Sequence, residues 1–286
     1  MARWTADDIP AQQGRTFVVT GANGGIGFAA ARDLARAGAT VVLACRNTAK
    51  ADAAAARMTG DVHVRRLDLA DLASVREFAA ATGEVDVLVN NAGVMMVPLA
   101  RTADGFELQV GTNHLGHFAL TGLLADRIRD RVVTVSSLGH RLGHVDLDDL
   151  NWERRRYRRL AAYAQSKLAN LLFTRELQRR WGPERSALAA HPGYAATDLG
   201  THLGFGPLDA LVPYVNRVFA QSADMGSLPT TYAAVMDLPG GSYVGPGGAG
   251  EQRGFPTLVG RSAAACDDGA AARLWELSET LTGVRF

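Results

Sequence analysis

Short β-branched runs alternate with alanine-rich stretches over the first two-thirds of the chain, and the first of these runs breaks directly into glycines. Residues 16–20, 40–44, 62–67, 86–90, 131–136 and 186–190 read as strands, each too short and too β-branched for a helix. Between them, 26–37, 49–58, a segment capped by Asp71 or Ser74 and ending near Ala81, 104–128 and 158–181 read as helices. Gly111, Gly116 and Gly122 weaken the continuity of the fourth of these. Strands separated by helices of this length require right-handed crossovers and a mostly parallel sheet. No Pro/Gly-rich linker divides this part, so residues 1–286 are expected to form one doubly wound α/β domain. Farther on, 199–220 is apolar and broken by Gly204, Gly206, Pro207 and Pro213, as a lid or insertion would be. Residues 222–236 return to helix, 240–244 make a last strand, GPGGAGEQRG forms a flexible or tightly turned loop, and 267–280 form a terminal helix.

Composition narrows the function. Lys and Arg number 30 against 29 Asp and Glu, a net charge of +1, so no whole-domain field favours nucleic acid or anionic lipid. Two cysteines, Cys45 and Cys266, cannot build a disulfide framework or a cysteine-rich metal site. The start, MARWTADDIP, lacks an apolar signal core, and no run approaches the roughly 20 apolar residues of a spanning helix. The expected compartment is the cytoplasm.

Gly21, Asn23, Gly24, Gly25, Ile26 and Gly27 lie between a strand and a helix. Gly21 permits the sharp turn, Gly25 lets backbone approach a pyrophosphate, and Gly27 allows close helix packing, with helix amides aimed at the phosphates. The spacing is not G-x-G-x-x-G from Gly21, and no Lys-Ser/Thr follows to make a nucleotide P-loop. After the second strand stand Arg46 and Asn47, and no carboxylate comes before Asp52. An acid there would bind a ribose 2′-hydroxyl, whereas Arg46 can pair with a 2′-phosphate, so NADP(H) is expected over NAD(H). Asp68 and Leu69 follow the third strand, and Asp68 either meets the adenine edge or caps the next turn. Asn90, Asn91, Ala92 and Gly93 follow the fourth, and their small side chains leave room for adenosine and the nicotinamide ribose across the strand ends.

Tyr163 and Lys167 stand four apart, on one helical face. A nearby ammonium favours phenolate, which would lower the tyrosine toward neutral pH and suit it to proton transfer. Ser137, after the fifth strand, could hydrogen-bond the same substrate oxygen.

TGANGGIG at 20–27, NNAG at 90–93, NHLGHF at 113–118, VSS at 135–137, YAQSK at 163–167 and HPG at 191–193 occur in that order, and together they resemble the short-chain dehydrogenase/reductases. ACRN, NHLGHF, KLANLLFTREL and the long stretch between Ser137 and Tyr163 are similar to the subgroup around retinol dehydrogenases and related bacterial reductases. The resemblance implies a Rossmann-like doubly wound parallel sheet flanked by helices. It also implies an oxidoreductase that moves hydride between nicotinamide and a carbonyl or alcohol. Tyr163 would be the general acid or base. Lys167 would hold the nicotinamide ribose and lower the Tyr163 pKa. Ser137 would orient the carbonyl, with Ser136 the alternative register. Asn113 would sit at a helix irregularity and hold a water linking Lys167 to solvent. Asp68 and Asn90 would contact adenosine, and Pro192, Gly193 and Thr197 would line the nicotinamide.

Met95, Met96, Val97, Leu142, His144, Tyr194, Leu199, Leu203 and Phe205 are pocket candidates, mostly apolar, so an apolar carbonyl or alcohol is the expected substrate. His114 and His117, or His140 and His144, lack the third ligand and HExxH spacing of a zinc site, so no metal is expected. His191 either orients the loop beside the cofactor or is an ordinary structural histidine. The arginine run at 154–159 has acids upstream at Asp146, Asp148, Asp149 and Glu153 and reads as a solvated helix start rather than a nucleic-acid patch. Helices 104–128 and 158–181 offer a four-helix interface for a homodimer or homotetramer, as in relatives. Two other classes fit the loop: a catalytically silent NADP-binding regulator or scaffold, and an isomerase or dehydratase that recycles nicotinamide internally. The intact Tyr163, Lys167, Ser137 and Asn113 set argues against the first.

Overall fold

The computed structural model describes residues 3–194 and 221–286. Eight strands form one sheet: β1 (Thr16–Thr20), β2 (Thr40–Cys45), β3 (Asp61–Arg66), β4 (Val85–Asn90), β5 (Ile128–Val135), β6 (Ser186–Ala190), β7 (Tyr243–Pro246) and β8 (Pro256–Leu258). Their spatial order is β3-β2-β1-β4-β5-β6-β7-β8, parallel throughout except for the antiparallel β7–β8 pair. Side chains of successive strand residues point to opposite faces. Phe17, Val19, Val41, Leu43, Val87 and Val89 pack on one face, and Val18, Val42, Leu88 and Val132 on the other. Burial on both faces is why the strands read as unbroken apolar runs.

One face is covered by α1 (Gly25–Arg36), α2 (Thr48–Ala55) and α7 (Ala223–Val235). The other is covered by α3 (Leu72–Ala80), α5 (Gly116–Leu124) and α6 (Arg159–Trp181), and α8 (Asp268–Thr282) lies outside them. Strand order reverses between the parallel neighbours β1 and β4, which places a crevice at their carboxyl ends. A Cβ on Gly21 would come within 2.9 Å of Ala92 there, so the two loops close on each other.

Two expectations change, and the alternative left open for the loop after β7 is decided. The stretch 104–128 is not one helix. It becomes α4 (Leu108–Val110), a π turn over Gly111–Leu115, α5, a 3-10 turn at Ala125–Arg127, and the start of β5 at Ile128. Glu107 stops the helix at its N-terminal end, its carboxylate accepting from the Gln109 and Val110 amides. The glycine-rich stretch after β7 is tightly turned: the Gly247 and Gly248 amides bond to the Phe255 and Arg253 carbonyls, and β8 follows. Finally, the proposed four-helix face is occupied. Every residue from Ala164 to Thr174 on α6 and from Gly116 to Thr121 on α5 is buried within this chain. Trp275 of α8 stacks on Phe173 at 5.8 Å and meets Phe118 edge-on at 5.0 Å. The proposed lid at 199–220 lies outside the described residues. Among the described residues, no helix is long and apolar enough to cross a membrane.

Candidate active site

The glycine loop turns on Gly21 (φ 67°) and Gly25 (φ 54°), a left-handed backbone in which a side chain is strained. Gly27 is closed in, since a Cβ there would lie 2.4 Å from Asn91 Nδ2 and 2.7 Å from the Gly21 carbonyl oxygen. Gly24, the N-cap of α1, has nothing within 4 Å of where its Cβ would be. A turn tight on its inner side and open at the helix amides suits a bound pyrophosphate, so these residues fit a dinucleotide. Asn23 is half-buried beside this opening, and Ile26 anchors the first turn of α1 in the interior.

Arg46 is exposed just past β2, and Asn47 caps α2 by accepting the Lys50 amide at 2.9 Å. Asp68 accepts the Ala70 amide at 3.0 Å through one oxygen, the turn-capping role left open above. Leu69 is buried against α5, where its carbonyl closes on Gly116. Asn90 does not face the crevice. It is fully buried and its Nδ2 donates to Thr121 Oγ1 at 3.0 Å, so its side chain is turned into the protein and only its backbone borders the strand end. Asn91 also turns beneath the loop, donating to the Thr20 carbonyl at 2.7 Å. Ala92 and Gly93 line the crevice, and a Cβ on Gly93 would meet Lys167 Nζ at 3.5 Å and Asn113 Oδ1 at 3.1 Å.

Tyr163 and Lys167 share one face of α6, with Lys167 Nζ 5.9 Å from the phenol ring centre. The ammonium donates to the Val135 carbonyl at 3.1 Å, a bond shared with Asn170. Burial lowers Lys167 to about 8. Burial also raises the Tyr163 phenol, opposed by its hydrogen bond with Ser137. The expected lowering of Tyr163 by Lys167 is therefore reversed in the free protein: desolvation outweighs an ammonium that is turned toward a backbone carbonyl. The serine register is resolved by geometry. Ser137 lies beside Tyr163, its Oγ accepting the Gly139 amide at 3.1 Å. Ser136 points inward and donates to the Lys167 carbonyl at 2.8 Å.

Asn113 sits in the π turn, so the expected helix irregularity is present. Its Oδ1 accepts the Val94 amide at 2.8 Å, and its Nδ2 donates to the Val94 carbonyl and to Ser166 Oγ, both at 2.9 Å. Ser166 in turn donates to the Tyr163 carbonyl at 2.8 Å. Ser166 lies within the YAQSK stretch, yet spacing does not single it out, because a serine inside a helix carries no signal until its partner is known.

Gly193 (φ 68°) follows Pro192, whose carbonyl accepts from the Gln221 side chain. His191 is fully buried beneath them. Its Nδ1 accepts the Gly193 amide at 3.2 Å, and its Nε2 lies 3.2 Å from Glu251. Of the pocket candidates, Met95, Met96 and Val97 are half-buried past Gly93, and the Met96 amide donates to Gln109 at 2.8 Å. Leu142, His144 and Tyr194 are exposed. Thr197, Leu199, Leu203 and Phe205 lie outside the described residues. His114 and His117 do not converge on a common point, since His114 pairs with Ser278 and His117 with Thr20.

The sequence matches the family model described as short chain dehydrogenase over residues 15–204. Retinol dehydrogenase 13 of Homo sapiens is 44% identical over 293 residues, spanning 95% of this chain and 85% of that protein. A crystal structure of an uncharacterised protein from Mycobacterium paratuberculosis is 55% identical, with TM-score 0.88, over 100% of this chain and 99% of that one. A Burkholderia cenocepacia short chain dehydrogenase in complex with NADP is 25% identical, with TM-score 0.62, over 81% of this chain and 95% of that one. The protein is an oxidoreductase of the carbonyl–alcohol couple with a nicotinamide dinucleotide site. The glycine loop, the π-turn asparagine and the Tyr163–Lys167 helix, taken with these matches, place the chain in the short-chain dehydrogenase family, on its retinol-dehydrogenase-like branch.

Proposed function

We propose that the protein is an NADP(H)-dependent oxidoreductase that interconverts an apolar carbonyl compound and its alcohol. The observation that carries the cofactor choice is the exposed Arg46 past β2, followed by Lys50, with no carboxylate before Asp52. A 2′-phosphate meets cations at that corner, where an acid would repel it. The NADP held by the Burkholderia protein supports the same reading. Half-buried Met95, Met96 and Val97 favour an apolar substrate, and the relatives' name makes retinol and its aldehyde the first pair to try.

A reduced nicotinamide seated on the glycine loop and the ends of β1 and β4 would supply the hydride for the carbonyl carbon. Tyr163 gives its phenolic proton to the carbonyl oxygen as negative charge develops there. Its raised pKa keeps that proton in place at neutral pH. Ser137 Oγ already accepts the Gly139 amide, which leaves its hydroxyl proton to donate to the same oxygen. Lys167 Nζ, beside Gly93, would hold the ribose hydroxyls of that cofactor.

The test follows NADPH and NADH oxidation against a panel of apolar aldehydes, with Arg46→Ala and Tyr163→Phe beside the parent. Parent turnover should prefer NADPH. Arg46→Ala should raise the NADPH KM by about tenfold, the loss of one charge-assisted contact. Tyr163→Phe should lose at least about a hundredfold in kcat while still binding NADPH. Equal use of both cofactors by the parent refutes the NADP(H) assignment, and near-parent turnover by Tyr163→Phe refutes the proton donor.

A further inference from the structure

His117 lies in α5 among Gly116, Phe118 and Ala119, 1% exposed, where an imidazole lacking partners would carry a desolvation cost. Both ring nitrogens are paired. Nδ1 is 3.0 Å from the Asn113 carbonyl oxygen, and Nε2 is 2.9 Å from Thr20 Oγ1. A carbonyl can only accept, so Nδ1 carries the proton and Nε2 must accept. Thr20 fits that demand. Its Oγ1 accepts the Asn91 and Ala92 amides, both at 2.9 Å, and gives its single proton to His117 at 2.9 Å in preference to the more distant Val89 carbonyl at 3.4 Å. Burial and the Lys167 charge push the ring down to about 4, so it stays neutral at ordinary pH.

The two bonds reach different halves of the site. Through Asn113 the ring touches the chain of bonds that runs by Ser166 to the Tyr163 carbonyl. Through Thr20 it touches the residue before Gly21 and the two amides that open the crevice wall at Asn91 and Ala92. We propose that His117 is a positioning residue whose Nδ1 sets the Asn113–Tyr163 end of the site and whose Nε2 separately sets the seat of the dinucleotide. The proposal rests on the oxidoreductase reading above.

Two substitutions separate the arms. His117→Asn keeps an amide donor near the place of Nδ1 and loses the reach to Thr20. His117→Gln reaches the place of Nε2 and loses the donor to Asn113. NADPH dissociation constants come from quenching of tryptophan fluorescence, and kcat from NADPH oxidation with the best aldehyde of the panel. His117→Asn and Thr20→Val should each weaken NADPH about tenfold, with kcat within about threefold of the parent. His117→Gln should lower kcat about tenfold, with NADPH affinity within about threefold. The double variant His117→Asn/Thr20→Val should bind NADPH no more weakly than Thr20→Val alone, because the valine already removes the bond that His117→Asn loses. Affinity and kcat falling together in both histidine variants, in step with their melting temperatures, would make His117 merely structural and overturn the proposal, as would parent-like behaviour of both. A parent that binds no NADPH refutes the NADP(H) reading instead, so the two failures are distinguishable.

Discussion

At the scale of single residues, Lys167 shows how far function departs from stability. An ordinary lysine titrates at 10.5, and burial lowers this one to about 8. Between those values the unfolded chain still holds the proton that the folded chain has released, so stability rises with pH across that window. Below about 8 the buried ammonium carries a full penalty of about 3 kcal/mol. Lys167→Met fills the same space without the charge, and the Val135 carbonyl keeps its bond from Asn170. The variant should melt several degrees above the cofactor-free parent at pH 7, with the gap closing above pH 10, while turnover is lost. Scanning calorimetry across pH checks this, and a variant that melts lower at pH 7 would contradict it. Much at this scale was legible beforehand. Tyr163, Lys167 and Ser137 stand together because helix spacing and a strand end are local facts. The orientation of Asn90 was not legible, because which side of a strand end faces a crevice depends on Thr121, 31 residues farther on. Nor was the direction of the Tyr163 shift, since burial is a property of the packed molecule.

At the scale of elements, the segment from Leu108 to Leu124 sets where Asn113 stands. The glycines in NHLGHF and before it hinted at broken continuity, but the π turn itself is a tertiary product and has no local signature. Gly116 shows the reason. A Cβ there would lie 2.4 Å from the Leu69 carbonyl oxygen, so α5 rests its backbone directly on the turn after β3. In an isolated helix, Gly→Ala would stabilise by about 1 kcal/mol. Here the contact is backbone and cannot swing aside, so overpacking decides the sign. Gly116→Ala should destabilise by about 1–3 kcal/mol in denaturant unfolding, and the shifted π turn should lower kcat with it. A neutral or stabilising result would mean that α5 can slide without penalty. The eighth strand was hidden for a different reason: Pro256–Leu258 has three residues, begins with proline, and exists only because β7 offers it an edge.

At the scale of the whole molecule, the question is what covers the outer face of α5 and α6. A helix buried all round needs partners on every side, and α6 has them within its own chain: β5 and β6 beneath, α4 and the π turn beside, and α8 above. His114 belongs to the same lock, its Nε2 2.9 Å from Ser278 of α8. Trp275, 2% exposed, fills the junction, with Arg180 over its ring and Phe286 tilted against it at 4.6 Å. A second copy could use α5 and α6 only by lifting α8 and exposing Phe118 and Phe173, which forfeits more apolar contact than a fresh docking must first replace. The terminal helix was legible from its pattern, but its destination was not, because amphipathic spacing says that one face is buried and not against what. Any self-association of the parent should therefore leave α5 and α6 alone: hydrogen exchange at 116–124 and 159–181 should not change with protein concentration. Trp275→Ala should cost about 3–5 kcal/mol and, by loosening α8, make sedimentation more dependent on concentration than in the parent. A parent dimer whose exchange protection grows at those two helices would show that α8 yields its place to a partner.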